Sequence, residues 1–77
     1  MNNCKYVGMD VHKTITALAV LNAAGQVEST HKVRTHSEPL QTFFRGLGGT
    51  VQVALEEGTQ SAWLYQLLKP LVASVTA

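Results

Sequence analysis

The chain has 77 residues, of which 45% are hydrophobic and 14% charged, with a formal net charge of +1. This length limits it to one domain, and such a domain buries only about 60% of its unfolded surface, so a thin core is expected. Near-neutral charge excludes a global field that draws in nucleic acid or membrane, and any such contact must come from a local patch.

Soluble domains usually carry about 25% charged residues, so this chain is apolar for its size and is expected to pack against more protein. Its single cysteine, Cys4, cannot close an internal disulfide, which fits a reducing cytoplasm and a small half-buried thiol better than a reactive one. The first residues, Met1-Asn2-Asn3-Cys4-Lys5, lack the basic and then apolar order of a signal peptide, and no run approaches about 18 apolar residues. The expectation is a soluble cytoplasmic protein with no membrane partner.

Tyr6 to Asp10 reads as a first strand. Thr14 to Asn22 is a second, with Ile15, Ala17, Ala19 and Leu21 alternating with Thr14, Thr16, Leu18 and Val20. Both of its faces are largely apolar, which predicts cover on both sides. Asn22-Ala23-Ala24-Gly25 supplies a turn, with Gly25 free to take positive φ.

Gln26 to Arg34 alternates Val27, Ser29, His31 and Val33 with Gln26, Glu28, Thr30, Lys32 and Arg34, the pattern of a strand near a sheet edge with one wet face. Ser37 is a candidate helix cap, with Glu38 and Pro39 suited to a first turn. Leu40, Phe43, Phe44 and Leu47 follow at helical spacing, and Gly48-Gly49 stops the helix.

Thr50 to Glu56 is a fourth strand that runs into two adjacent carboxylates, Glu56 and Glu57. Gly58-Thr59-Gln60-Ser61 makes a tight exit, and a second helix from about Ser61 to Lys69 carries Leu64, Leu67 and Leu68 on one face. Pro70 ends or kinks it. Leu71 to Ala77 is a further strand-like run.

Three strands joined by tight turns make an antiparallel meander, whereas strands reached through helices run parallel to the first. The expected fold is therefore α/β, a mixed sheet with helices packed on its faces. If strand four lies beside strand one, Asp10 and Glu56 emerge at the same carboxyl edge, where open α/β sheets place their ligands.

Asp10 is the only aspartate in the chain and directly follows an apolar run, which calls for an explanation beyond the usual scatter of aspartates through turns. Two carboxylates converging on rigid strand ends suit a hard divalent cation such as Mg²⁺, which prefers oxygen ligands and keeps sites for water and phosphate. A two-metal phosphoryl-transfer site, with ions about 4 Å apart, usually wants three or four carboxylates. The candidates here are Asp10, Glu56 and Glu57.

The run Tyr6-Val7-Gly8-Met9-Asp10-Val11-His12-Lys13, followed by a strand, a glycine turn and then Val53-Ala54-Leu55-Glu56-Glu57-Gly58-Thr59-Gln60-Ser61-Ala62-Trp63-Leu64-Tyr65, resembles the amino-terminal part of bacterial insertion-sequence transposases of the DEDD class. The resemblance covers nearly all 77 residues. It implies an RNase H-like, RuvC-like domain in which Asp10 and Glu56 match the first Asp and the Glu of the acidic site. It further implies two more aspartates and a serine-bearing domain beyond residue 77, so that residues 1–77 form a single partial domain, incomplete at the carboxyl end and inactive alone. The implied activity is cutting and joining DNA as a mobile element moves, with Mg²⁺ or Mn²⁺ as a cofactor that this chain does not hold tightly. DNA, a guide RNA in some members, and a homo-oligomer are the implied partners.

Each assignment has a plainer alternative. Asp10 could cap the turn after strand one, and Glu57 could face solvent at a helix start, where the helix dipole favours it. His12 reads as a turn residue beside the site, able to contact phosphate, and Thr59 as a helix cap. His12, Glu57 and Thr59 are thus candidates to support the site rather than to ligate. Lys13, Lys32 and Arg34, with His31 and His36, form the nearest thing to a basic patch and are candidate nucleic-acid contacts, although charges on an edge strand also serve solubility. Trp63 and Tyr65 could stack on bases, but filling the core or an interface is the more ordinary use.

Two other functional classes remain open. A sugar-kinase or actin-like ATPase fragment also opens with a Gly-x-Asp strand, but wants glycines and a hydroxyl where this chain has Val11-His12-Lys13. A non-catalytic, self-associating module fits the thin core and low charge.

Overall fold

A computed structural model of the chain describes residues 4–55 and 61–76. The elements run β1 (Cys4–Val11), β2 (Ile15–Leu21), β3 (Val27–Arg34), α1 (Ser37–Arg45), β4 (Thr50–Leu55), α2 (Ser61–Leu68) and β5 (Ser74–Thr76). The strands form one sheet in the order β3-β2-β1-β4-β5. β1, β2 and β3 pair antiparallel, and β4 and β5 run parallel to β1. The meander and the helix-connected parallel strands expected from the sequence are both present.

Asn22 forms the β2–β3 turn by two means. Its backbone carbonyl accepts from Gly25 N–H at 2.9 Å, and its side-chain Oδ1 accepts from Ala24 N–H at 2.9 Å and Gln26 N–H at 3.0 Å. Gly25 has φ +84°, the left-handed conformation that the turn requires and that other residues rarely adopt.

One face of the sheet carries the core. Val7 and Met9 of β1, Leu18 and Val20 of β2, and Val51, Val53 and Leu55 of β4 form one buried cluster with Leu40 and Phe44 of α1 and Leu64 and Leu68 of α2. Both helices therefore pack on the same side, not on opposite faces as the sequence suggested. The i, i+4 spacing of Leu40 with Phe44, and of Leu64 with Leu68, puts each pair on one stripe of its helix, and that stripe meets the sheet.

The opposite face is open among the described residues, which corrects the expectation that β2 is covered on both sides. The reason lies in side-chain size. The strand register lines up Thr30, Ala19, Gly8, Ala54 and Thr76 in one row across all five strands. Such small side chains expose little apolar area, so the face tolerates water despite reading as apolar.

Two smaller readings also change. The α1 N-cap is His36, in extended conformation and without a side-chain cap bond, and Ser37 is the first helical residue. Helix α1 ends at Arg45 with Gly46 as C-cap, before Gly48 and Gly49, whose positive φ values of +61° and +77° turn the chain into β4. Trp63 and Tyr65 are each 40% exposed and take no part in the core. No helix among the described residues is long and apolar enough to cross a membrane.

Candidate functional site at the carboxyl end of the central strands

β1 and β4 lie at the centre of the sheet, and their parallel register pairs Met9 with Leu55. The two strands therefore reach their carboxyl ends side by side. Asp10 follows Met9 on β1 and points to the open face, where it is exposed. Glu56 follows Leu55 in the chain; it, Glu57 and Thr59 lie outside the described residues, as does the turn expected at 58–60.

Asp10 has a neighbour that the sequence placed beside the site. His12 Nε2 lies 3.0 Å from Asp10 Oδ2, so that a protonated Nε2 donates to the carboxylate. Both side chains are more than half exposed, at 66% for His12 and 52% for Asp10, and water screens the pair. Among the described residues, no three His, Cys, Asp or Glu side chains gather as a metal site.

The turn carrying His12 is held from below. His12 N–H donates to Ile15 C=O at 3.1 Å, and Thr35 Oγ donates to His12 C=O at 2.7 Å. Thr35 N–H also donates to Thr14 C=O at 2.9 Å, so this one residue grips the turn at two carbonyls. Thr16 and Thr35 hydroxyls are 2.9 Å apart and buried. Since the single hydroxyl proton of Thr35 goes to His12, Thr16 must donate to Thr35. The order of donation is Thr16 to Thr35 to the His12 carbonyl.

Sequence reasoning missed this pair. One signal was there: Thr16 shares a buried strand face with Leu18 and Val20, and a buried hydroxyl needs a partner. Its partner, 19 residues away at the end of β3, follows only from the sheet register.

The candidate basic residues separate. Lys32 pairs with Ala17, which pairs with Asp10, so the three form a row across the open face with Lys32 roughly 10 Å from Asp10, two strand spacings. Arg34 lies on the same face beside Ile15, and Lys13 is exposed in the β1–β2 turn. His31 belongs to the other side, where its ring meets the edge of Phe43 at a centroid distance of 5.0 Å, and His36 is taken up as the α1 cap residue. A shallow depression of about 450 Å³ runs over Gly8, Ala17 and Ala19, with Asp10, Thr30 and Lys32 around it.

At the other end of β1, the Tyr6 phenol is hydrogen-bonded to Cys4. That bond, followed by the charge of Cys4 and slight desolvation, raises the phenol above its ordinary value of 10.0. Gln52 Nε2 donates to Cys4 Sγ at 3.5 Å.

No protein-family model matches this chain, and no curated protein matches it.

Proposed function

We propose that this chain is part of an RNase H-like catalytic domain of a DEDD-class transposase, in which Asp10 and Glu56 serve metal-dependent phosphoryl transfer on DNA. The observation that carries this reading is the Met9–Leu55 register, which brings the carboxyl ends of two central parallel strands together with Asp10 exposed at that edge. It is supported by the run of residues around Asp10 and the run from Val53 to Tyr65, which resemble the two acidic motifs of that family.

The donor chemistry agrees in kind with Mg²⁺ or Mn²⁺. Asp10 offers carboxylate oxygen, the ligand that hard ions prefer, and Glu56 would add a second such group. Asp10 and Glu56 are the residues that would hold the ion. When bound, the ion supplies positive charge that polarises the phosphate and activates an oxygen nucleophile.

The chain's own residues do the remaining work. His12 orients the Asp10 carboxylate through its 3.0 Å contact. Lys32 and Arg34, exposed on the same face as Asp10, offer cations to the phosphate backbone of DNA, as does Lys13 in the turn. Calorimetric titration with Mg²⁺ tests the reading. Binding that weakens at least tenfold in both Asp10→Asn and Glu56→Gln supports it, and binding unchanged in either variant contradicts the pairing.

A second reading, a self-associating interaction module, is favoured by the open sheet face, which leaves Tyr6 39% and Ile15 38% exposed. A monomeric mass in sedimentation at high protein concentration would exclude it.

A further inference from the structure

We infer that Thr35, with Thr16 behind it, is a positioning residue that sets the His12–Asp10 contact through the backbone of the β1–β2 turn. The inference rests on the proposed role of Asp10. It goes beyond that role by assigning a task to two buried hydroxyls that touch neither the carboxylate nor the imidazole.

Little holds the His12–Asp10 pair directly. An exposed pair of this kind loses side-chain entropy when it orders and is screened by water, so its geometry must come from the backbone that presents it. That backbone is the four-residue stretch between Val11 at the end of β1 and Thr16 in β2. Thr35 closes on it with its N–H on Thr14 C=O and its hydroxyl on His12 C=O. The second bond fixes the His12 carbonyl, and with it the backbone from which the imidazole projects.

Thr35 can do this only while its hydroxyl proton points at His12. Thr16 ensures that orientation, because its own hydroxyl donates to the Thr35 oxygen and occupies the acceptor side. Thr16 is fully buried and Thr35 is 8% exposed, so water offers little competition for either bond. A threonine needed only for packing could be valine, and nothing in packing requires two hydroxyls to be relayed to the carbonyl of the residue that touches Asp10.

The test reads the His12 ring by ¹⁵N and ¹H NMR in the full chain, with and without Asp10→Asn, using His31 and His36 as internal controls. In the otherwise unchanged chain, Asp10→Asn should shift the His12 Nε2 signal and leave His31 still. Thr35→Ser, which keeps the hydroxyl, should preserve that response. Thr35→Val alone leaves the buried Thr16 hydroxyl without its acceptor and could unfold the chain, so the Thr16→Val/Thr35→Val double variant, which removes both hydroxyls at constant shape, is the decisive one. It should keep the dispersed core signals and lose at least half of the His12 response. A full response in the folded double variant, a lost response in Thr35→Ser, or no His12 response to Asp10→Asn in the parent chain would each overturn the inference. Metal is absent from this test. A chain that passes it but shows no Mg²⁺ binding at Asp10 would therefore contradict the proposed function while leaving the positioning role intact.

Discussion

Met9 of β1 and Leu55 of β4 are partners in a parallel ladder, and both side chains are buried in the core. Their position is held by packing on both neighbouring strands, with Val7 opposite Val53 one pleat earlier. A one-residue slip between β1 and β4 would turn the buried set of one strand toward water, so the register is strongly specified. The edge that carries Asp10 thus inherits its geometry from the core.

Core truncation should accordingly be severe. Leu40 and Leu68 are completely buried. Leu40→Ala or Leu68→Ala is expected to cost about 2–5 kcal/mol. A domain of this size has roughly 4–12 kcal/mol in total. Urea denaturation should show a large fall in midpoint, or no folded baseline at all, and a loss under about 1 kcal/mol would contradict the core described.

The hydroxyl pair makes a different prediction. Thr16→Val or Thr35→Val alone leaves a buried polar group without its partner and should destabilise the chain by about 1–3 kcal/mol. The double variant should lose less than the sum of the two single variants. Additive losses in a denaturation series would mean that the two hydroxyls do not interact.

Gly8 tests the open face. A Cβ placed there meets nothing within 4 Å among the described residues, and its φ is not positive. Gly8→Ala is therefore expected to stabilise by about 0.5–1 kcal/mol, the usual cost of glycine inside a strand. A clear loss in thermal denaturation would show that something packs closely over this row.

Tyr6 predicts a pH dependence. Its phenol is raised above 10.0, first by the hydrogen bond to Cys4 and then by the charge of Cys4. Because the folded value lies above the unfolded one, the stabilising contribution is fully present below about pH 10 and is lost as pH rises through the folded value. In a Tyr65→Phe background, ultraviolet titration should find Tyr6 ionising above pH 10, and Cys4→Ala should bring it back toward 10. No change on removing the thiol would remove Cys4 as the cause.

Much of the fold could be read from alternation. The periods around Leu18, Val53 and Val33 placed β2, β4 and β3, and Gly25 marked its own turn, because these signals are local to a few residues. The candidate site was legible only in its described part. Asp10 could be singled out as a lone acid after an apolar run, and His12 as its neighbour in the turn.

What could not be read depends on distance or size. The Thr16–Thr35 bond spans 19 residues and needs the β2–β3 register. The uncovered face depends on Gly8, Ala19 and Ala54 meeting in one row, which makes an apolar pattern cheap to expose. His31 parts from Lys32 because neighbours on a strand face opposite ways, and Phe43 offers His31 an edge contact on the core side. Ser37 yields the cap position to His36 because the chain is still extended one residue before the helix, at φ −138° and ψ 157° for His36.

The most direct test of the central claim is a Mn²⁺ titration followed by paramagnetic broadening of backbone NMR signals. If Asp10 and Glu56 share a divalent ion, broadening should begin at residues 10–12 and 55–57, leave Gly25 at the far turn sharp, and disappear in Asp10→Asn. Broadening centred elsewhere, or unchanged in Asp10→Asn, would contradict a metal site at the carboxyl ends of β1 and β4.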